Sequence, residues 1–188
     1  NKTSVEPIQA SGEAKAAPAK PNEWVKIMAA KAIDLSTAGI KVAYAIEETA
    51  GTKPTAFTNI PNPKSIPNTN PEPSTYDSTS LNATEWKTYV EGLKDMGGAL
   101  AITFGMSQVF LDMWEKLCDD VETASASNKR MWMEFYHPKL TKSFFFTCTP
   151  TKLGFPSADV DAIWDGDANV TPTGEIGWAE AIAPTDAE

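Results

Sequence analysis

Hydrophobic and polar positions alternate cleanly in a few stretches of this chain, and the sharpest lies at Leu100, Ile102 and Phe104. These three fall on one side, and Ala99, Ala101 and Thr103 on the other. Period-two alternation predicts a half-buried strand. The same signal marks residues 40–46, where Ile40, Val42, Tyr44 and Ile46 share a face. It marks again a hairpin of 129–137 and 143–149 around Pro138, in which Met131, Met133 and Phe135 alternate. After a loop at 150–168, a last strand is expected over 170–182. Between 107 and 121 the period changes to that of a helix. Phe110, Met113, Trp114, Leu117 and Val121 form one stripe behind Ser107, a good N-cap, while Asp112, Glu115 and Lys116 lie off it. A stripe this bulky is expected to cover a sheet and close a core.

Prolines punctuate the middle of the chain. Pro54, Pro61, Pro63, Pro67, Pro71 and Pro73 exclude a central strand from the loop 54–73. They leave room for an edge strand around 57–60 or 64–68. Before residue 22 the chain is rich in Ala, Lys, Pro and Glu without periodicity, the composition of a flexible arm. Asn22 then caps an expected short helix carrying Trp24, Ile27 and Met28, and Gly39 ends that region. The organisation is an N-terminal arm over 1–39 and a β domain over 40–188. The fold class is mainly β with one main helix: a small β-sandwich or barrel flanked by a helix.

The segment 72–98 stands apart. Two strands expected to be central, the second returning through Gly92 and Lys94 into Leu100–Phe104, are joined by a long polar connection that sets Tyr76, Trp86 and Tyr89 among Asp, Ser and Thr. Ordering such a connection costs conformational entropy that it does not recover alone in water. A partner surface would supply the missing burial, which points to assembly rather than catalysis. Four apolar anchors, Tyr76, Leu81, Trp86 and Tyr89, are the candidates to bury against a neighbour. Asp77, Glu85 and Lys94 are the candidates to pair at its rim.

Composition narrows the alternatives. Lys and Arg number 16 against 25 Asp and Glu, a formal charge of −9, which argues against a nucleic-acid reader working through a basic patch. After Lys152 there are eight acidic residues and no lysine or arginine, a surface that a polyanion slides past rather than grips. No apolar run approaches the roughly 20 residues needed to span a bilayer, and the opening NKTSVEPIQA lacks the pattern of a signal peptide. Cys118 and Cys148 are isolated and read as buried small hydrophobes, not a disulfide framework.

Candidate chemistry is thin. His137 is the single histidine, placed before Pro138 in an expected turn, with no nucleophile brought near it by spacing. His and Cys show no metal-ligand spacing. The run from Asp165 to Glu175 sets carboxylate and amide oxygens at alternate positions, as a calcium loop does. It fails at its sixth position, Val170, where a sharp turn needs glycine, and at its twelfth, Ile176, where a bidentate glutamate belongs. No enzyme, metal or cofactor is expected.

The order of elements resembles the tail tube (major tail) protein family of long-tailed bacteriophages, whose best-known member comes from phage lambda. The resemblance rests on the N-terminal strand, the proline stretch, and a strand opening with Ser74, Tyr76, Asp77 and Leu81. It continues through the loop to Trp86, a return through Gly92 and Lys94 into Leu100–Phe104, the helix at 107–121 and the hairpin after it. It covers roughly 40–182. The resemblance implies the fold shared with the type VI secretion tube protein. It also implies self-assembly into stacked, hexameric rings of a virion tail, put together in the host cytoplasm. Tape measure, tail terminator and baseplate proteins would be its partners, and DNA would pass through without specific binding. The proline stretch and the arm exceed what that fold requires. The competing readings are an acidic β-sandwich adhesion module and a phage head-tail connector or decoration protein.

Overall fold

A computed structural model describes residues 34–187. The chain divides into two units, Asn1–Ser36 and Thr37–Glu188. The fold below is that of the second. The arm expected over 1–39, with its helix at Trp24, Ile27 and Met28, lies almost wholly outside the described residues.

In chain order the elements are β1 (Lys41–Ile46), β2 (Thr58–Ile60), β3 (Pro63–Ser65), β4 (Glu72–Asp77), β5 (Tyr89–Asp95), β6 (Leu100–Gly105), α1 (Gln108–Ser125), β7 (Met131–Tyr136), β8 (Lys142–Pro150) and β9 (Asp165–Glu180). Seven of the strands form one sheet in the order β2-β1-β7-β8-β9-β6-β3, and β4 and β5 pair only with each other. Among the described residues the fold is thus mainly β with one helix, as the patterning implies.

The proline stretch decides how the sheet closes. β2 and β3 are both three-residue edge strands, at opposite ends of the strand order. Yet only Pro61 and Asn62 separate them in sequence, and three residues of extended chain reach about 10 Å. The sheet therefore curls until its two edges nearly meet, giving a near-barrel. Asn62 takes the left-handed turn at φ 55°, and its carbonyl accepts a bond from Gly105 N–H at 2.9 Å. Pro63 opens β3, a position where a missing N–H costs no ladder bond.

One face of the curled sheet meets α1. Ser107 caps the helix by accepting from Phe110 N–H at 3.2 Å, and Phe110, Trp114, Leu117, Cys118 and Val121 are buried. Phe110 stacks on Phe104 with ring centroids 4.7 Å apart, and the Trp114 indole donates to the Thr151 carbonyl at 3.0 Å. Leu100, Ile102, Met131, Met133, Phe146 and Val170 complete this core. A smaller cluster on the opposite face gathers Ala43, Ala45, Trp132 and Phe145 under Phe57. Strands β1, β7 and β8 thus bury side chains on both faces, so strict alternation alone would misread them.

Three expectations need correction. Of the two strands expected to be central, only the Leu100–Phe104 end lies within the sheet, between β9 and β3; the parts of both strands within 72–98 do not. They form a separate ribbon, because Gly97 and Gly98, both at positive φ (88° and 86°), break the return strand before β6. The last strand begins at Asp165 rather than 170, since residues 165–170 pair with β6. The helix runs on to Ser125, four residues beyond the 107–121 stretch expected.

Candidate functional site: an exposed two-stranded ribbon

β4 and β5 pair antiparallel, with Tyr76 opposite Val90, Asp77 opposite Tyr89 and a register shift between Pro73 and Thr75. Gly92 makes this pairing possible. A Cβ there would stand 2.5 Å from the Tyr76 ring and 2.8 Å from Ser74 Oγ, so the tyrosine can lie across the ribbon only over a glycine. Ser74 Oγ donates to the Leu93 carbonyl at 2.9 Å and fixes the bulge. The connection between the strands carries its own bonds. Thr88 N–H donates to Thr79 Oγ1 at 2.9 Å, Thr79 N–H to Asp77 Oδ1 at 2.9 Å, and Ser78 N–H to the Thr88 carbonyl at 2.9 Å. The Thr79 hydroxyl and N–H hold the Asp77 carboxyl below its usual range, with Lys87 at 3.5 Å adding to the effect.

Nothing in the sheet covers this ribbon. From Pro71 to Lys94 every residue is exposed except Thr79 and Gly92, which are half-buried. Tyr76 is 64% exposed, Leu81 108%, Trp86 82% and Leu93 88%. Isolated two-stranded ribbons are marginal in water, and uncovered large apolar side chains grouped on one element mark an interaction site.

All seven expected residues lie on this element: Tyr76 and Asp77 on β4, Tyr89 and Lys94 on β5, and Leu81, Glu85 and Trp86 in the connection. They do not share one face. Paired positions point the same way, so Tyr76 stands with Val90 and Tyr89 with Asp77 on the other side. Asp77 pairs within the ribbon, with Lys87, rather than waiting free at a rim. Val90 and Leu93, both exposed, are contact candidates that the sequence reading passed over. Their signal was present as apolar residues adjoining Tyr89 and Gly92.

A second exposed apolar group sits on the connection from β8 to β9, where Phe155, Val160 and Ile163 are largely uncovered. Phe155 packs against Trp164 with centroids 5.2 Å apart. That stretch reads from sequence as a plain acidic loop, and its apolar content is what that reading missed.

The other chemical candidates resolve into structure. The run from Asp165 to Glu175 is part of β9, laddered to β6 and β8. Its side chains alternate between faces instead of converging on an ion. His137 is buried, and its Nδ1 accepts from Lys139 N–H at 3.1 Å in the β7–β8 turn. Cys118 and Cys148 are free and buried, and burial pushes the Cys148 thiol up to about 12. No helix among the described residues is long and apolar enough to cross a membrane.

One charged centre escaped the sequence reading. The Glu47 carboxylate, its side chain fully buried, accepts from the Trp132 indole at 2.9 Å, from Gly51 N–H at 2.8 Å and from Arg130 N–H at 3.1 Å. The Arg130 guanidinium lies 2.8 Å away and reaches Glu175 on β9 at 3.3 Å. Burial alone would raise the Glu47 carboxyl. The bonds from Trp132, Gly51 and Arg130 outweigh it and hold the group at about 2. The centre ties β1, β7 and β9 together. A second buried carboxyl, Glu134, is pushed up by burial, against the pull of Ser143, Ile182 N–H and Lys53.

No protein-family model matches the chain, and no curated protein matches its sequence. Solved structures do match its shape. A chain in the cryo-EM structure of the anti-feeding prophage baseplate, six-fold symmetrised, aligns with a TM-score of 0.52 at 8% identity, covering 79% of this chain and 97% of that one. A chain of the anti-feeding prophage tube terminating cap aligns at a TM-score of 0.43 and 15% identity, over 82% and 100% of the two chains. The first likeness establishes a common fold.

Proposed function

We propose that this protein is a structural subunit of a phage-like tail or injection particle, and that it acts by assembling with copies of itself rather than by catalysis. The observation that carries the reading is the ribbon. A small near-barrel with a well-filled core extends a two-stranded element whose tyrosines, tryptophan and leucines find no cover among the described residues. The fold shared with a chain of a six-fold symmetrised baseplate supports a place in such a particle. In the finer form of the proposal the rings stack into the tail tube, the ribbon of each subunit seating on the next ring. Tape measure, terminator and baseplate proteins cap the stack, and DNA passes along an acidic lumen without being gripped.

The contact is heterologous, since a ribbon on one copy must meet a different surface on the next, and such contacts close into rings or grow into filaments. Aromatic anchors surrounded by polar groups are what a hot spot requires. Purified protein concentrated and viewed by electron microscopy should show rings or tubes with a central hole. Replacing residues 80–90 by a Gly-Ser bridge should leave a folded subunit that forms neither. A deletion variant that polymerises normally would remove the ribbon from the assembly role.

A further inference from the structure

The ladder between β6 and β9 stops abruptly. Leu100 pairs with Val170, and the partners run from there to Gly105 and Asp165. β9 continues for ten more residues, Thr171 to Glu180, hydrogen-bonded to β8 on one side only. Among the described residues no strand occupies its other edge. A free edge of that length is a ready template for a further strand. Here it bears no lysine, and Pro172, Glu175 and Glu180 are the residues along it that would oppose one.

The missing strand is identifiable. Traced backward from Leu100, the chain would run along that edge, but Gly97 and Gly98, at φ 88° and 86°, turn it away into β5. Between the diverging strands lies a groove of about 410 Å³. It is lined from one side by Gly98, Met96, Lys94 and Pro71, and from the other by Pro172, Thr171, Gly174 and Ile176. Alternate residues of the β5 side thus face alternate residues of β9, which is the pattern of an antiparallel ladder that has come unzipped. Continued without interruption, the ladder would set Leu93 opposite Gly177 and Gly92 opposite Trp178. β9 bulges against β8 between Pro172 and Ile176, and absorbing that bulge shifts the register by two, to Leu93 opposite Ala179 and Lys94 opposite Trp178. Both registers keep the same faces and set a large side chain beside a small one or a lysine beside an indole. Both would cover Leu93 and Trp178, which now stand 88% and 61% exposed.

We propose that the ribbon swings on Gly97–Gly98 between the open position of this structure and a closed one, in which β5 zips onto the free edge of β9. Closure regulates the assembly site: it folds the ribbon against its own subunit and withholds it from a neighbour. The inference rests on the assembly role proposed above for the ribbon. Contacts with a neighbouring copy compete with closure and can outweigh it.

Disulfide trapping in the full-length chain tests this. Leu93→Cys is combined with Gly177→Cys or with Ala179→Cys, one pair for each register; a Cβ at Gly177 meets open space. The native Cys118 and Cys148 are buried and serve as internal references by mass spectrometry. One pair should form a disulfide in the unassembled subunit on mild oxidation. That locked subunit should fail to assemble until a reductant is added. Engineered thiols that react freely with a soluble reagent yet never join would overturn the proposal. So would a locked subunit that assembles like the wild type. The parent reading is tested separately with Leu81→Ser and Trp86→Ser, which do not touch the seam. If those variants assemble normally the ribbon's assembly role falls whatever the disulfides do, and if they block assembly while no disulfide forms, only the hinge falls.

Discussion

The sheet body and the ribbon are made from the same strand-forming alphabet and end in opposite states. In β6, Leu100, Ile102 and Phe104 are all but removed from water, packed under α1 and against β9. In β4 and β5, separated from β6 by two glycines, Tyr76, Tyr89, Val90 and Leu93 are more than half exposed. Hydrophobicity does not separate the two regions. What differs is whether a second layer is available. Strand β6 has a helix across its face and strands at both edges, whereas β4 and β5 have each other and no second layer among the described residues. The same apolar side chain is therefore a stability element in one place and, on the assembly role proposed above, an interaction element in the other.

That contrast breaks most readily at Trp114. Trp114→Ala empties a site against Phe104 and Phe110 and loses the bond to Thr151, and should cost about 3–5 kcal/mol. The expected result is insolubility or a large fall in melting temperature. A melting curve left unchanged would mean that the helix stripe does not close the core.

Glu47→Gln comes next. The native group is held at about 2 against 4.5 for an ordinary glutamate, and at about 1.4 kcal/mol per pH unit that difference is worth about 3 kcal/mol. The folded value is the lower one, so this stabilisation is complete above about pH 4.5 and is lost as the pH falls towards 2. Chemical denaturation across that window should show the wild type losing stability on acidification. Glu47→Gln should be weaker at neutral pH, with a flatter acid limb. Parallel acid limbs for the two proteins would show that the centre contributes little.

Ser107→Ala removes the cap of α1 and should cost about 1 kcal/mol, read as a modest shift in the denaturation midpoint. The smallest effect on stability is expected in the ribbon. Leu81→Ser and Trp86→Ser should change unfolding by no more than about 0.5 kcal/mol while abolishing assembly in a sedimentation or microscopy assay. If either substitution instead unfolds the subunit, the ribbon belongs to the core and the contrast between the regions collapses.

Much of the body could be read directly from local pattern. The stripe of α1, its Ser107 cap, the alternation in β6, the β7–β8 hairpin and the confinement of short strands to the proline stretch each depend on residues a few positions apart. The candidate site was legible too, as a polar connection carrying aromatics that no local partner could bury. Other features depended on partners far along the chain. Asp165 to Asn169 became strand because β6 lies beside them, overriding a loop-like composition. β1, β7 and β8 acquired two buried faces because Phe57 and its neighbours fold over the side away from α1.

By itself, then, the sequence determined the β-rich class, the main helix with its buried face, and the presence of an element between 72 and 98 that its own neighbours cannot cover. The tertiary structure alone decided that the sheet curls until β2 and β3 approach. It also decided that Glu47 meets Arg130 and Trp132 across 83 and 85 residues of chain, and that β9 keeps one edge open beside the ribbon. Periodicity follows from the geometry of one strand or one helix and is written in adjacent residues. Sheet order, edge closure and buried ion pairs follow from which distant segments come to lie side by side, and no local pattern encodes that choice.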